Sequence, residues 1–293
     1  MSVKITKIDE IGKIPIVTKE SVKDIRDIEI PNYKAITDTS NNQVICINSK
    51  RYKLIQHRDV ATAFFKTFEV LDKTTQKIGM ELIGNKVLIT FATLSETIEM
   101  EIEEGTIKKT ISLPINIVVT NSYDKTTSLS IHSDVRDQSG ILSLRSFDQL
   151  KHLKSVKEAQ KAFKEDHRFV HRGTKELVLG DILCSKVLGA IEVAKRSKEI
   201  WLLLGNITLT EDNLKELKNT LNLPDKYEEM LDQKIGITKG QYNLWNIYTI
   251  ISNIVDKNMK SPLRKDSILC KVNKYSYNKY KEYNKEYTIN TNV

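Results

Sequence analysis

The chain is poor in the features that would name a reaction. No P-loop, HExxH, GxSxG or paired Cys-x-x-Cys occurs in its 293 residues, so the usual scaffolds for phosphate cradling, zinc proteolysis, a nucleophile elbow or dithiol exchange are missing. Cysteine is scarce. Cys46, Cys184 and Cys270 are too few and too widely spaced for a disulfide framework or a zinc pair, which fits a reducing cytoplasm. Long apolar runs are lacking too. Spanning a bilayer takes roughly 20 such residues, and Ile200-Trp201-Leu202-Leu203-Leu204 falls far short, so no membrane association is expected. The opening MSVKITKIDEIGK has no apolar core of a signal peptide, so secretion is not expected either.

What is present describes a globular protein. Hydrophobic residues make up 40% and charged residues 29%, enough to bury a core in one large domain or two modest ones. The net charge of +8 points to a polyanionic partner, although a lysine-rich proteome would give the same excess.

Residues 1–28 read as an extended or loosely ordered arm interrupted by Pro15. Residues 29–150 read as an antiparallel sheet plus a helix. Tyr33–Thr37 and Gln43–Ile47 flank the polar cluster 38–42, which predicts a hairpin. Val60, Phe64, Phe65, Phe68 and Leu71 recur at helical spacing between His57 and Asp72. Gly84-Asn85 between two apolar runs predicts a primed hairpin turn. In the stretch Ile98 to Glu103 apolar and acidic residues alternate strictly, as a half-buried strand requires. Its glutamate row reads as a solvated sheet face and not as a metal site. A last strand, Thr127 to Arg136, sets Leu129, Ile131 and Val135 on one face and Ser128, Ser130, His132, Asp134 and Arg136 on the other. Together with Asn121-Ser122-Tyr123-Asp124 this polar row is a candidate functional surface, able to offer hydroxyls, an imidazole and a guanidinium to a phosphate backbone.

Residues 151–268 read as helical and packed on the sheet, in one domain with it. Between Lys151 and Lys175 stand eight Lys/Arg against three acids. Lys154, Lys157, Lys161 and Lys164 line one helical face, and Arg168, His171 and Arg172 extend the charge. The pattern suits a phosphate-tracking stripe, and equally an ordinary solvated lysine face. His167 and His171 stand four apart but have no further ligand at suitable spacing, so no metal or cofactor is expected. Thr210 is a helix N-cap and Tyr242 to Met259 a helix with a buried stripe. Residues 269–293 read as a flexible basic, tyrosine-rich tail. There Tyr275, Tyr277 and Tyr280 alternate with lysines in the manner of a single-strand stacking platform, a composition that also suits a plain solubilising tail. The fold class is therefore α+β: an antiparallel sheet with an N-terminal hairpin and helix, a helical C-terminal half and a flexible tail.

Several segments together resemble the uncharacterised phage/plasmid-like protein family of phages, archaeal viruses and plasmids. Ile30–Ala35 with Asp38 and Tyr52 resembles its opening hairpin, and Gly84–Leu94 its glycine-then-hydrophobic strand. Asn121-Ser122-Tyr123-Asp124 is similar to its Asn-Ser-His-Asp-Gly motif, with Tyr123 for the histidine and Lys125 for the glycine. Val135-Arg136 falls on its Val-Arg pair, but Asp137–Leu142 departs from the cysteine and Asn-Thr-Leu that the family carries next. Phe169–Gly173 is similar to its basic segment, and Leu244–Thr249 to its C-terminal Trp/Asn/Thr helix. The resemblance implies a mobile-element setting and a part in DNA metabolism. The element order is also compatible with annealing proteins related to Rad52, which form oligomers.

The expectation is a non-enzymatic DNA-binding protein, single-stranded DNA favoured, with a homo-oligomer suggested by that analogy. A nuclease or hydrolase using Asp124, His132 and Asp134, or a structural or host-interaction protein, are the alternatives.

Overall fold

The computed structural model describes residues 2–5, 8–52, 54–104, 107–124, 129–136, 143–145, 176–236 and 243–290. Among the described residues nine strands fall into two sheets. β1 (Ser2–Ile5), β5 (Thr75–Ile83), β6 (Val87–Glu104), β7 (Ile107–Ser122), β8 (Ser130–Arg136) and β9 (Ser143–Arg145) form the larger, in the order β1-β5-β6-β7-β8-β9. β2 (Val17–Lys23), β3 (Glu29–Asp38) and β4 (Val44–Ser49) form the smaller, with β3 in the middle. Six helices are described: α1 (His57–Val70), α2 (Glu176–Leu204), α3 (Glu211–Leu221), α4 (Asp225–Gly236), α5 (Leu244–Asn258) and α6 (Pro262–Asn290). The chain is α+β, with the N-terminal hairpin and helix expected. No described helix is long and apolar enough to cross a membrane.

Two compact units divide the chain. One comprises residues 1–95, 116–132 and 149–191, the other 96–115, 133–148 and 192–293. In the first unit, the extended arm is ordered into β1, a 3-10 turn (Ile8–Lys13) and β2, so it contributes a strand to each sheet. The hairpin at Gly84-Asn85 forms as its residues dictate: both take positive φ, 55° and 56°, and Lys86 N–H bonds Ile83 O at 3.0 Å. Asparagine and glycine tolerate that left-handed backbone at little steric cost. α1 buries Val60, Ala61, Phe64, Phe65 and Phe68, with Phe64 and Phe68 packed edge to face at 5.1 Å, a geometry that complements ring quadrupoles. A second cluster joins Val17, Ile36, Ile45, Tyr52 and Tyr123 under the smaller sheet.

In the second unit, Ile98 and Met100 are buried while Glu99 and Glu101 are exposed, so this part of the glutamate row is a solvated strand face. Thr210 caps α3: its side chain accepts from Asn213 N–H at 3.2 Å and the Asn213 side chain returns the bond. Asn243 caps α5, its side chain accepting Asn246 N–H at 2.8 Å. α5 buries the stripe Leu244, Ile247, Tyr248, Ile251, Ile254 and Val255.

The chain from Pro262 to Asn290 is helix α6 and not a flexible tail. Ile268, Leu269, Val272, Tyr275, Ser276 and Tyr280 recur at helical spacing and are all buried, so the segment has an apolar face to bury, which a solvated tail lacks.

Candidate nucleic-acid interface

The segment Asn121–Asp124 is a buried latch and not a surface. Asn121, Ser122 and Tyr123 are 0–1% exposed and Asp124 is half-buried. The Tyr123 ring stacks on the His57 imidazole at 3.7 Å, 17° from parallel. Its hydroxyl accepts the backbone N–H of His57 at 2.8 Å. That N–H is among the four at the start of α1 with no intrahelical acceptor, and Gln56 at the cap position gives no side-chain cap bond, so Tyr123 supplies the cap from across the fold. The Tyr123 carbonyl accepts from Asn48 Nδ2 at 2.5 Å and Cys46 Sγ at 3.2 Å. Its N–H bonds Lys86 O at 2.8 Å, and the Tyr52 hydroxyl donates to Ser122 O at 2.9 Å.

Asn121 completes the arrangement. Its Nδ2 lies 3.3 Å from Ile55 O and 3.0 Å from His57 Nδ1. A carbonyl only accepts, so the amide nitrogen faces Ile55, and His57 Nδ1 must be an acceptor too. Burial pushes the Tyr52 and Tyr123 phenols well above their ordinary range, which removes both from acid-base work near neutral pH. These residues tie α1, β4 and the β5–β6 hairpin together. Their polarity satisfies buried backbone groups, which is costly to leave undone.

The last strand expected of the sheet is also less open than the alternation predicts. β9 pairs with β8 in the register Asp134↔Arg145 and Val135↔Leu144, so β8 lies inside the sheet. Asp134 is 5% exposed, which takes it off the solvent-facing row expected of Asp134, His132 and Arg136. His132 is half-buried in β8; of Arg136 the structure describes the backbone, which ends β8. Among the described residues no group of three His, Cys, Asp or Glu is placed to hold a metal. Lys154, Lys157, Lys161, Lys164, Arg168, His171 and Arg172 lie outside the described residues.

The three α6 tyrosines expected to stack on bases are buried and not available for it. Tyr275, Tyr277 and Tyr280 are 6–7% exposed. The Tyr275 hydroxyl donates to Asn213 O at 2.9 Å, and burial together with the Glu216 carboxylate pushes its phenol up. What the burial of one face leaves outward is a different feature. Arg264, Ser267, Lys271, Lys274, Asn278 and Lys281 stand at steps of three and four residues, so they share one face of α6. Every member is a hydrogen-bond donor and none is an acid. Arg264 and Lys274 are exposed; Lys271 is half-buried with its ammonium on Leu221 O at 3.2 Å. Lys281 is half-buried and lies 4.4 Å over the Tyr277 ring, a cation–π contact. The stripe is about 26 Å long at 1.5 Å per residue. One DNA strand presents about eight phosphates over that length.

Residues 257–281 hold Lys257, Lys260, Arg264, Lys265, Lys271, Lys274, Lys279 and Lys281 against the single acid Asp266. With the eight Lys/Arg and three acids of 151–175, these two segments hold sixteen cations and four acids. The rest of the chain keeps thirty cations and thirty-four acids, from totals of 46 and 38. All of the positive excess therefore sits in two short segments. The second escapes a reading by composition, because lysine with tyrosine looks like low complexity. The spacing of Ile268, Leu269, Val272, Tyr275 and Tyr280 is the signal that reveals a helix with a cationic back. No protein-family model matches the sequence, no curated protein is significantly similar to it, and no solved structure matches its fold.

Proposed function

We propose that this protein binds DNA without catalysing a reaction on it, through phosphate contacts that carry little sequence preference. One observation carries the reading: the positive excess is confined to residues 151–175 and 257–281 of an otherwise acidic chain. A generally lysine-rich composition would spread it. The stripe running from Arg264 to Lys281 supports the same reading, because donors with no carboxylate among them suit a phosphate backbone. Burial of Tyr275, Tyr277 and Tyr280 withdraws the stacking argument for single strands, so the binding rests on backbone contacts common to single- and double-stranded DNA. A role in replication or recombination of a virus or plasmid, including strand annealing, is supported by the family resemblance and the element order alone.

The test is binding of a labelled oligonucleotide to the full chain and to Arg264→Ala/Lys274→Ala/Lys281→Ala, with circular dichroism to confirm folding. Three lost contacts should flatten the logarithmic salt slope by about 2 to 3 units. The quadruple change of Lys154, Lys157, Lys161 and Lys164 to alanine should flatten it independently. Binding that ignores both sets, or no binding at low salt, would sink the proposal.

A further inference from the structure

We infer that the β2–β3–β4 sheet is a self-association surface on which a second copy of this chain docks. The first observation is where the exposed apolar side chains lie. Among the described residues ten large hydrophobics are exposed, and six of them are on this sheet or its hairpin: Ile25 at 104%, Ile28 at 55%, Ile30 at 37%, Tyr33 at 51%, Val44 at 52% and Ile47 at 56%. Summed over the six, on the order of 600 Å² of mostly apolar side-chain surface is left in water. Roughly 800 Å² per partner makes a standard stable interface, so these side chains offer a large share of the area one needs.

The register explains part of the pattern. Ile36 pairs with Cys46, and Lys34 with Asn48, and this face carries the core contacts of Ile36 and Asn48. Alternation puts Tyr33, Ala35 and Ile47 on the opposite face. Beyond Lys50, whose N–H bonds Asn32 O at 2.7 Å, β2 and β3 continue without β4 to the turn that carries Ile25.

Charge selects the occupant. Lys23 pairs with Asp27 at 2.8 Å, Arg26 with Asp24 at 2.8 Å and Lys34 with Glu29 at 3.0 Å. Three cations thus meet three acids inside the hairpin itself. A neutral surface has nothing to draw a polyanion or an acidic bilayer. It is instead the kind of surface on which two chains of net charge +8 meet without like charges at the contact itself.

The edges differ in the same sense. β2 carries Lys19, Glu20 and Lys23, the charges that natural edge strands use against pairing. β4, at the other edge, is Val44-Ile45-Cys46-Ile47-Asn48-Ser49 and carries none. A two-fold axis beside β4 would set it antiparallel to its own copy, an isologous contact that needs no second kind of partner.

The test is analytical ultracentrifugation of the full chain over a wide concentration range, at high salt and free of nucleic acid, so that DNA binding plays no part. The wild type should self-associate reversibly. Ile47→Lys should raise the dissociation constant about tenfold or more, because the new charge would be buried in an apolar contact. Ile25→Ser/Ile28→Ser should weaken association as well. It changes only exposed side chains, so it decides the matter should Ile47→Lys fail to fold. A wild type that stays monomeric overturns the inference, as does association that neither variant weakens. Parallel sedimentation with phosphatidylcholine vesicles covers the other occupant: a monomer that pellets with vesicles in an Ile25-dependent way assigns the hairpin to a bilayer and overturns self-association.

Discussion

Tyr123→Phe isolates the cap that Tyr123 lends to α1. The substitution keeps the ring on His57 at its 3.7 Å stacking distance and deletes the oxygen that accepts His57 N–H at 2.8 Å. Gln56 makes no side-chain cap bond and His57 is 1% exposed, so water cannot take over without opening the site. The cost is that of a buried, unsatisfied donor, about 1–3 kcal/mol. Loss of an ordinary N-cap, about 1 kcal/mol, is a second guide to the same figure. At about 2–4 °C per kcal/mol for chains of this size, the melting temperature should fall by several degrees. Hydrogen exchange at the first amides of α1 should quicken while the second unit's helices keep their protection. A variant as stable as the wild type, with unchanged exchange at His57, would refute the role given to this hydroxyl.

Alkaline pH should unfold the protein through its buried phenols. Burial raises Tyr123, Tyr52 and Tyr275 above the ordinary tyrosine value of 10.0. The unfolded chain then releases these protons first, so stability is complete below about pH 10 and falls as pH rises above it. Tyr123 alone accounts for about 1.4 kcal/mol per pH unit in that window, and the others act in the same direction. The tyrosinate absorbance of the buried phenols should appear together with loss of far-ultraviolet ellipticity; ionisation of all eleven tyrosines in a folded chain would contradict this. Thr210→Ala should destabilise the second unit by about 1 kcal/mol and Thr210→Ser by much less, as read by urea denaturation; equal stability of the two variants would show that the capping box does not hold α3.

The legible parts of the fold are those settled by local chemistry. Gly84-Asn85, the Thr210 cap and the α5 stripe from Leu244 to Val255 each carry their information within one turn or one period. Asn121–Tyr123 carries it elsewhere. Its polar side chains look like surface until Asn48, Tyr52, Ile55 and His57, all more than sixty residues away in the chain, are brought to it by folding. Asp134 is misplaced by alternation alone because β9 has three residues, too few to show a period. α6 is hidden by its composition: tyrosine is amphipathic, so its ring suggests a stacking platform until its helical spacing marks it as core. The candidate site moves accordingly, from ring faces to the lysine side of the same segment.

Salt dependence of DNA binding tests the central claim most directly. With four phosphate contacts along Arg264, Lys271, Lys274 and Lys281, affinity should fall about 50- to 150-fold between about 50 and 200 mM salt, for single and double strands alike. Contacts from residues 151–175 would steepen it. A salt-independent affinity, or a strong single-strand preference abolished by Tyr275→Leu rather than by loss of Arg264 and Lys274, would contradict an account built on phosphate contacts.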